Sequence, residues 1–260
     1  MSLIGRHYKT KYNFQLSSFM LHIIAMVLML CDHLWGTILS SYDWLTCIGR
    51  IAFPLFAFLL VEGFVYTKNL KKYILRLFIF ALISEIPFDL MIGNTIFYPI
   101  HQNVLWTFLL AVAALIIFEK LRTRRLVFRL IAYPIIIFIF YLLGIITFVD
   151  YYGCGILTVI LFYFTRKNKK DTKQEKILKI AVQILGMYWI NCSMLKGMII
   201  PLNLFGRTVE VYQQGFAMFS LIFIWLYKGR QGLYNRYIKY FYYWFYPIHI
   251  LILDLVVLLF

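Results

Sequence analysis

Asp32 and His33 stand side by side within an apolar run that begins at Phe19. A carboxylate and an imidazole are the groups that general acid–base chemistry uses near neutral pH. The stretch Gly49–Leu90, GRIAFPLFAFLLVEGFVYTKNLKKYILRLFIFALISEIPFDL, adds Arg50 and Glu62 in one apolar run and Glu85 and Asp89 in the next. A charged side chain near the centre of a bilayer costs about 2.5–3.5 kcal/mol on insertion scales, so four in one helical hairpin require a reason. Glu85 and Asp89 are four apart and share a helical face, with Pro87 between them to bend it. His101, Gln102 and Asn103 open the next apolar run, and His249 lies in FYYWFYPIHILIL near mid-membrane.

The elements that must carry these residues are membrane spans of about 20 residues. Candidates are 19–40, 45–66, 70–91, 102–118, 126–148, 151–165, 176–194, 210–227 and 239–260, the sixth being short for a crossing. At 1.5 Å per residue, His33 lies roughly 20 Å from the inner end of the first span. Arg50, Glu85, Asp89 and His101–Asn103 then reach the same outer depth. A shared wet pocket is the economical reading, with His33 as its general base. Adjacent helix positions point about 100° apart, so Asp32 is not automatically the partner of His33; Glu85 and Asp89 are equally open to that role. Glu62 sits in the inner half, where it lines a passage or accepts a hydrogen bond. The competing reading is a structural ion-pair network, such as Arg50 with Asp32 or Asp89.

Composition points the same way. Of 260 residues, 63% are hydrophobic and only 14% charged, well below the ~25% of soluble domains. A polytopic all-α membrane bundle of about nine transmembrane helices follows, as a single domain over 1–260. The net charge of +15 is explained without nucleic acid. With the N-terminus cytoplasmic, almost all of the 26 basic residues collect on one face, including Arg6, Lys9, Lys11 and the linker 166–179; only Arg50, Lys196 and Arg207 lie elsewhere. No cleavage site follows the first apolar run, so it is read as an uncleaved span. Gly197–Gly206 is apolar but too short to cross, and reads as a re-entrant or interfacial segment. The four cysteines lack metal-ligand spacing, and no metal is expected.

Taken in order, MLCDHLWG, GRIAFPLFAFLLVEGF, NLKKYILRLFIFALISEIPFDL, HQNVLWTF and FYYWFYPIH resemble the TraX family, densest over 19–110. Its namesake N-acetylates pilin, and such proteins resemble the wider transmembrane acyltransferases. The resemblance implies His33 as the catalytic histidine and Asp32 as its support. Arg50, Glu62, Glu85, Asp89, His101, Gln102, Asn103 and His249 become pocket or orienting residues. It further implies acetyl-CoA as the acyl donor, its phosphates on the basic inner loop with Lys71, Lys72 and Arg76. The acceptor would be an extracytoplasmic peptide, protein or glycan, and the setting a bacterial cytoplasmic membrane with lipid as partner. A proton-coupled transporter using the same Asp/Glu/His cluster is the rival class, and a non-catalytic assembly scaffold the third.

Overall fold

The structure, a computed structural model, describes residues 16–168, 170–204 and 206–259, so the expectations for Arg6, Lys9, Lys11 and Lys169 fall outside the described residues. Helices α1 (Ser18–Thr37), α2 (Asp43–Gly49), α3 (Ala52–Tyr66), α4 (Leu70–Gly93), α5 (Val104–Leu121), α6 (Leu126–Ile146) and α7 (Tyr152–Phe164) follow one another. Helix α8 (Lys173–Tyr188) runs on into a π-helical turn, Trp189–Leu195. A 3₁₀ segment, Gln213–Phe219, leads into α9 (Ser220–Leu226), and α10 (Arg236–Leu259) closes the bundle. The strands are β1 (Leu16–Ser17), β2 (Ile199–Leu204), β3 (Arg207–Tyr212) and β4 (Tyr227–Arg230).

The caps are local sequence chemistry. Asn69 accepts from the Lys72 amide at 2.9 Å to start α4, and Asn103 accepts from the Leu105 amide at 3.0 Å to start α5. Asn94, left-handed at φ 50°, ends α4. Thr172 and Glu175 form a capping box that starts α8 inside the stretch read as a linker. There Lys179 reaches Asp171 at 2.8 Å.

Among the described residues, six stretches are long and apolar enough to cross a membrane, α2 and α3 counting as one of them. Helix α4 has the length, at 24 residues, but carries Lys71, Lys72, Arg76, Glu85 and Asp89. Helix α7, at 13 residues, spans only about 20 Å. The protein is therefore a membrane-embedded helical bundle.

Two expectations change. The second span is two helices, α2 and α3, joined at Arg50–Ile51 by short-range bonds from Arg50 N to Thr46 O and Ile51 N to Ile48 O. The eighth candidate span, 210–227, begins on a strand, not a helix: β2 and β3 pair antiparallel from Ile199–Tyr212 to Leu204–Arg207. A strand pair satisfies its own backbone groups, which an unpaired interfacial segment would not.

Helix α3 is the hub, with eleven of its fifteen residues buried, while α6 fully buries only Phe140 and Gly144, lays Tyr133, Ile136, Ile137 and Leu143 half-buried against the core, and turns its other face outward. Association within a bilayer relies on close packing, because lipid is as apolar as the side chains. Helices α6 and α7 meet where a Cβ on Gly144 would lie 2.8 Å from the Gly153 Cα.

Candidate functional site

On α1, Ser18, His22, Met29, His33 and Gly36 fall on one face by helical spacing and line a cavity of about 1610 Å³. Ser18 and His33 are fifteen residues apart, so the cavity follows the helix for about 22 Å. At one end its wall is the start of α1, the end of α3 and the start of α4, with Lys68, Lys72, Arg76, Arg166, Lys167 and Lys228. At the other end are Asp32, His33, Arg50, His101, Asp150 and Tyr151. Glu62 lies between, accepting the Tyr227 hydroxyl at 3.1 Å.

The histidine end is built by side chains from distant parts of the chain. Asp32 is held by Arg50, whose Nη2 lies 2.6 and 2.8 Å from the two carboxylate oxygens, and by the Thr46 hydroxyl at 2.7 Å. Gly49 permits this closeness: a Cβ there would fall 2.4 Å from the Asp32 Cβ. The ring of His33 instead meets His249, with His33 Nδ1 and His249 Nε2 2.7 Å apart. His249 Nδ1 is 2.6 Å from the Phe245 carbonyl oxygen.

Neither Glu85 nor Asp89 orients His33. Glu85 accepts from Asn103 and from the Trp106 indole at 2.8 Å, and Asp89 accepts from the Tyr98 amide at 2.9 Å. Asn103 also donates to the Ala81 carbonyl at 2.9 Å, and the Gln102 side chain donates to the Pro99 carbonyl at 3.1 Å. These four residues tie α4 to α5 and its entry loop, away from the cavity wall. Of the three basic residues expected to meet phosphate, Lys72 and Arg76 line the cavity, whereas Lys71 points away and is exposed. His249 stands behind His33 rather than on the cavity wall.

Asp150, which the sequence did not single out for the site, faces the cavity with His101, whose Nε2 is 3.5 Å from its Oδ1. In the connection before α5, the neighbouring Asp150 raises His101 above its ordinary value of 6.5, against the opposing effect of burial. Arg166, Tyr227 and Thr46 were also missed. The one available signal was Arg166 closing α7 at the basic end. Arg50, Arg76 and Arg166 line the cavity, and each has one buried guanidinium nitrogen, Nε, Nε and Nη1, without a hydrogen-bond partner among the described residues. Buried donors are ordinarily paired, so these three nitrogens stand out beside the cavity. Among the described residues no group of three or more His, Cys, Asp or Glu stands together as a metal site.

A membrane helical bundle with a long internal cavity, cationic at one end and bearing a histidine and an Arg–Asp pair at the other, defines the class. The chain matches the family described as TraX protein over residues 17–257 and belongs to it. It is similar to the probable fimbrial assembly protein FimC, serogroup H1, of Dichelobacter nodosus, at 29% identity over 255 residues, covering 93% of this chain and 96% of that protein. No solved structure matches.

Proposed function

We propose that this protein is a transmembrane acyltransferase. It takes acetyl from acetyl-CoA at the basic, cytoplasmic end and delivers it to an amine or hydroxyl at the extracytoplasmic end. One observation carries the reading: a single cavity joins a cluster of cationic residues to His33 over about 22 Å. A small ligand cannot touch both ends at once. A donor with a polyanionic head and a long, thin, thioester-tipped arm can, and coenzyme A is built that way.

The phosphates engage Arg76 and Arg166 on the cavity wall, with Lys72 and Lys228 adding charge. The arm passes Glu62 and brings the thioester to His33. The acceptor nitrogen or oxygen attacks the carbonyl carbon while His33 takes its proton. The Arg50 guanidinium, on the cavity wall, donates to the developing oxyanion. The carbon–sulfur bond then breaks, and the His33 proton passes to the departing thiolate, leaving free coenzyme A and a neutral base. The fimbrial assembly name of the relative makes a surface-filament subunit the first acceptor to try.

The test uses the full chain in proteoliposomes with radiolabelled acetyl-CoA and a filament-subunit fraction. Label should pass to the acceptor, and His33→Ala should slow transfer by about 10²–10⁴-fold while the protein remains folded and inserted. Arg166→Gln should raise KM for acetyl-CoA with little change in kcat. Full activity of His33→Ala would overturn the assignment. Proton-linked solute flux without acetyl-CoA consumption would establish the transporter instead.

A further inference from the structure

The His33–His249 contact determines which nitrogens carry protons. A neutral imidazole has one N–H and one bare nitrogen. His249 Nδ1 lies 2.6 Å from the Phe245 carbonyl oxygen, which can only accept, so Nδ1 carries the hydrogen. The Nε2 of a neutral His249 is then bare. Two bare nitrogens would repel at 2.7 Å, so His33 Nδ1 must hold the hydrogen and donate it to His249 Nε2. That leaves the lone pair of His33 on Nε2, across the ring from His249.

The ring geometry agrees. The planes are 6° apart and the centroids 4.9 Å apart. That separation is the nitrogen–nitrogen distance plus a ring radius at each side, so the two imidazoles lie end to end in nearly one plane. They are not stacked face to face. The lone pair of His249 Nε2 therefore points at the Nδ1–H of His33. His249 is itself clamped by the Phe245 ring, 4.6 Å away and 19° from parallel.

We propose that His249 is the positioning residue of the site: it accepts the Nδ1–H of His33 and so keeps the Nε2 of His33 unprotonated and aimed into the cavity. In catalytic triads a carboxylate fills this place, fixing tautomer and orientation. Here a neutral imidazole does so, and Asp32 is left to Arg50. When His33 takes the acceptor's proton on Nε2, both of its ring nitrogens carry hydrogen, and the His249 lone pair stabilises the cation without adding a buried negative charge. This catalytic consequence rests on the acyltransferase reading, whereas the pair itself does not.

The experiment has a spectroscopic arm and a kinetic arm. The full chain, labelled with ¹⁵N-histidine in nanodiscs, should show His33 protonated on Nδ1 and bare on Nε2, with scalar coupling across the bond to His249 Nε2. His249→Leu should abolish the coupling, mix the His33 tautomers and lower kcat by about 10–100-fold, with KM for acetyl-CoA unchanged. His249→Gln supplies an amide oxygen to the same Nδ1–H, and should restore the single tautomer and most of the rate. Protonation of His33 on Nε2 in the wild type would overturn the proposal. So would full kcat in His249→Leu, or equal loss of rate in both variants with the tautomer unaltered. The nitrogen spectrum needs no turnover, so a wild type that shows the coupling yet transfers no acetyl group refutes the enzyme reading and leaves the pair standing.

Discussion

Replacing Gly49 by alanine tests how closely α1 and α2 must approach to build the histidine end. The new Cβ would stand 2.4 Å from the Asp32 Cβ, 2.8 Å from its Oδ1 and 2.9 Å from its Cα. Comfortable carbon–carbon contact is about 3.5–4.0 Å, a shortfall of roughly 1 Å or more. Because a backbone atom is among the three, no rotamer of Asp32 relieves the clash, and the helices must separate. The Arg50 contacts at 2.6 and 2.8 Å would then stretch past hydrogen-bonding length. Overpacking of this kind costs about 1–3 kcal/mol. A shift near 1 Å at a reacting group costs about 10²-fold in rate. Thermal unfolding of the purified chain in one detergent, alongside acetyl transfer in proteoliposomes, measures both. Gly36→Ala is the stability control on α1: a Cβ there meets nothing within 4 Å, so it should leave the melting temperature level or raise it. If Gly49→Ala melts with the wild type, the close packing of α1 on α2 is wrong and the account of Asp32 falls with it.

Arg50→Leu leaves Asp32 facing the cavity without its cation. The cost should be about 3 kcal/mol, the lower end of the range for broken buried pairs, since the two side chains keep 17% and 16% exposure. Adding Asp32→Asn should recover part of that loss, and strict additivity in denaturation measurements would refute the pairing. His101 is raised above its ordinary value by Asp150, so the contribution of that pair is fully present below pH 6.5. It is lost as pH rises through the raised folded value. Thermal stability measured across neutral pH should decline less steeply in His101→Gln, and an identical slope would count against the contact.

Much of this protein is legible in the chain. Membrane residence, the rough limits of most long helices and the basic end follow from local apolar length and charge, whereas nine crossings were expected and six stretches among the described residues are long and apolar enough. The caps at Asn69 and Asn103 are local too, since a side chain there bonds an amide two or three residues on. The shared depth of Asp32, His33, Arg50 and His101 was also readable, because axial rise per residue converts sequence position into height. Rotation about each helix axis was not. A helix in lipid is apolar on nearly every side, so periodicity does not announce which face turns inward. Periodicity therefore leaves open whether Asp32, Glu85 or Asp89 orients His33, and α4 packing on α5 turns Glu85 to Asn103 and Trp106 instead.

The partner of His33 lies 216 residues away, and Asp150 reaches the cavity only because α7 begins beside the joint between α2 and α3. The hairpin at Ile199–Tyr212 escaped for a related reason, since strand pairing depends on the facing strand rather than on either strand alone. Sequence by itself determined what the helices are made of and how deep each polar group sits, because both are sums over neighbours in the chain. Only the tertiary structure decided which polar groups meet, because that depends on helix rotation and long-range packing, to which no local pattern is bound.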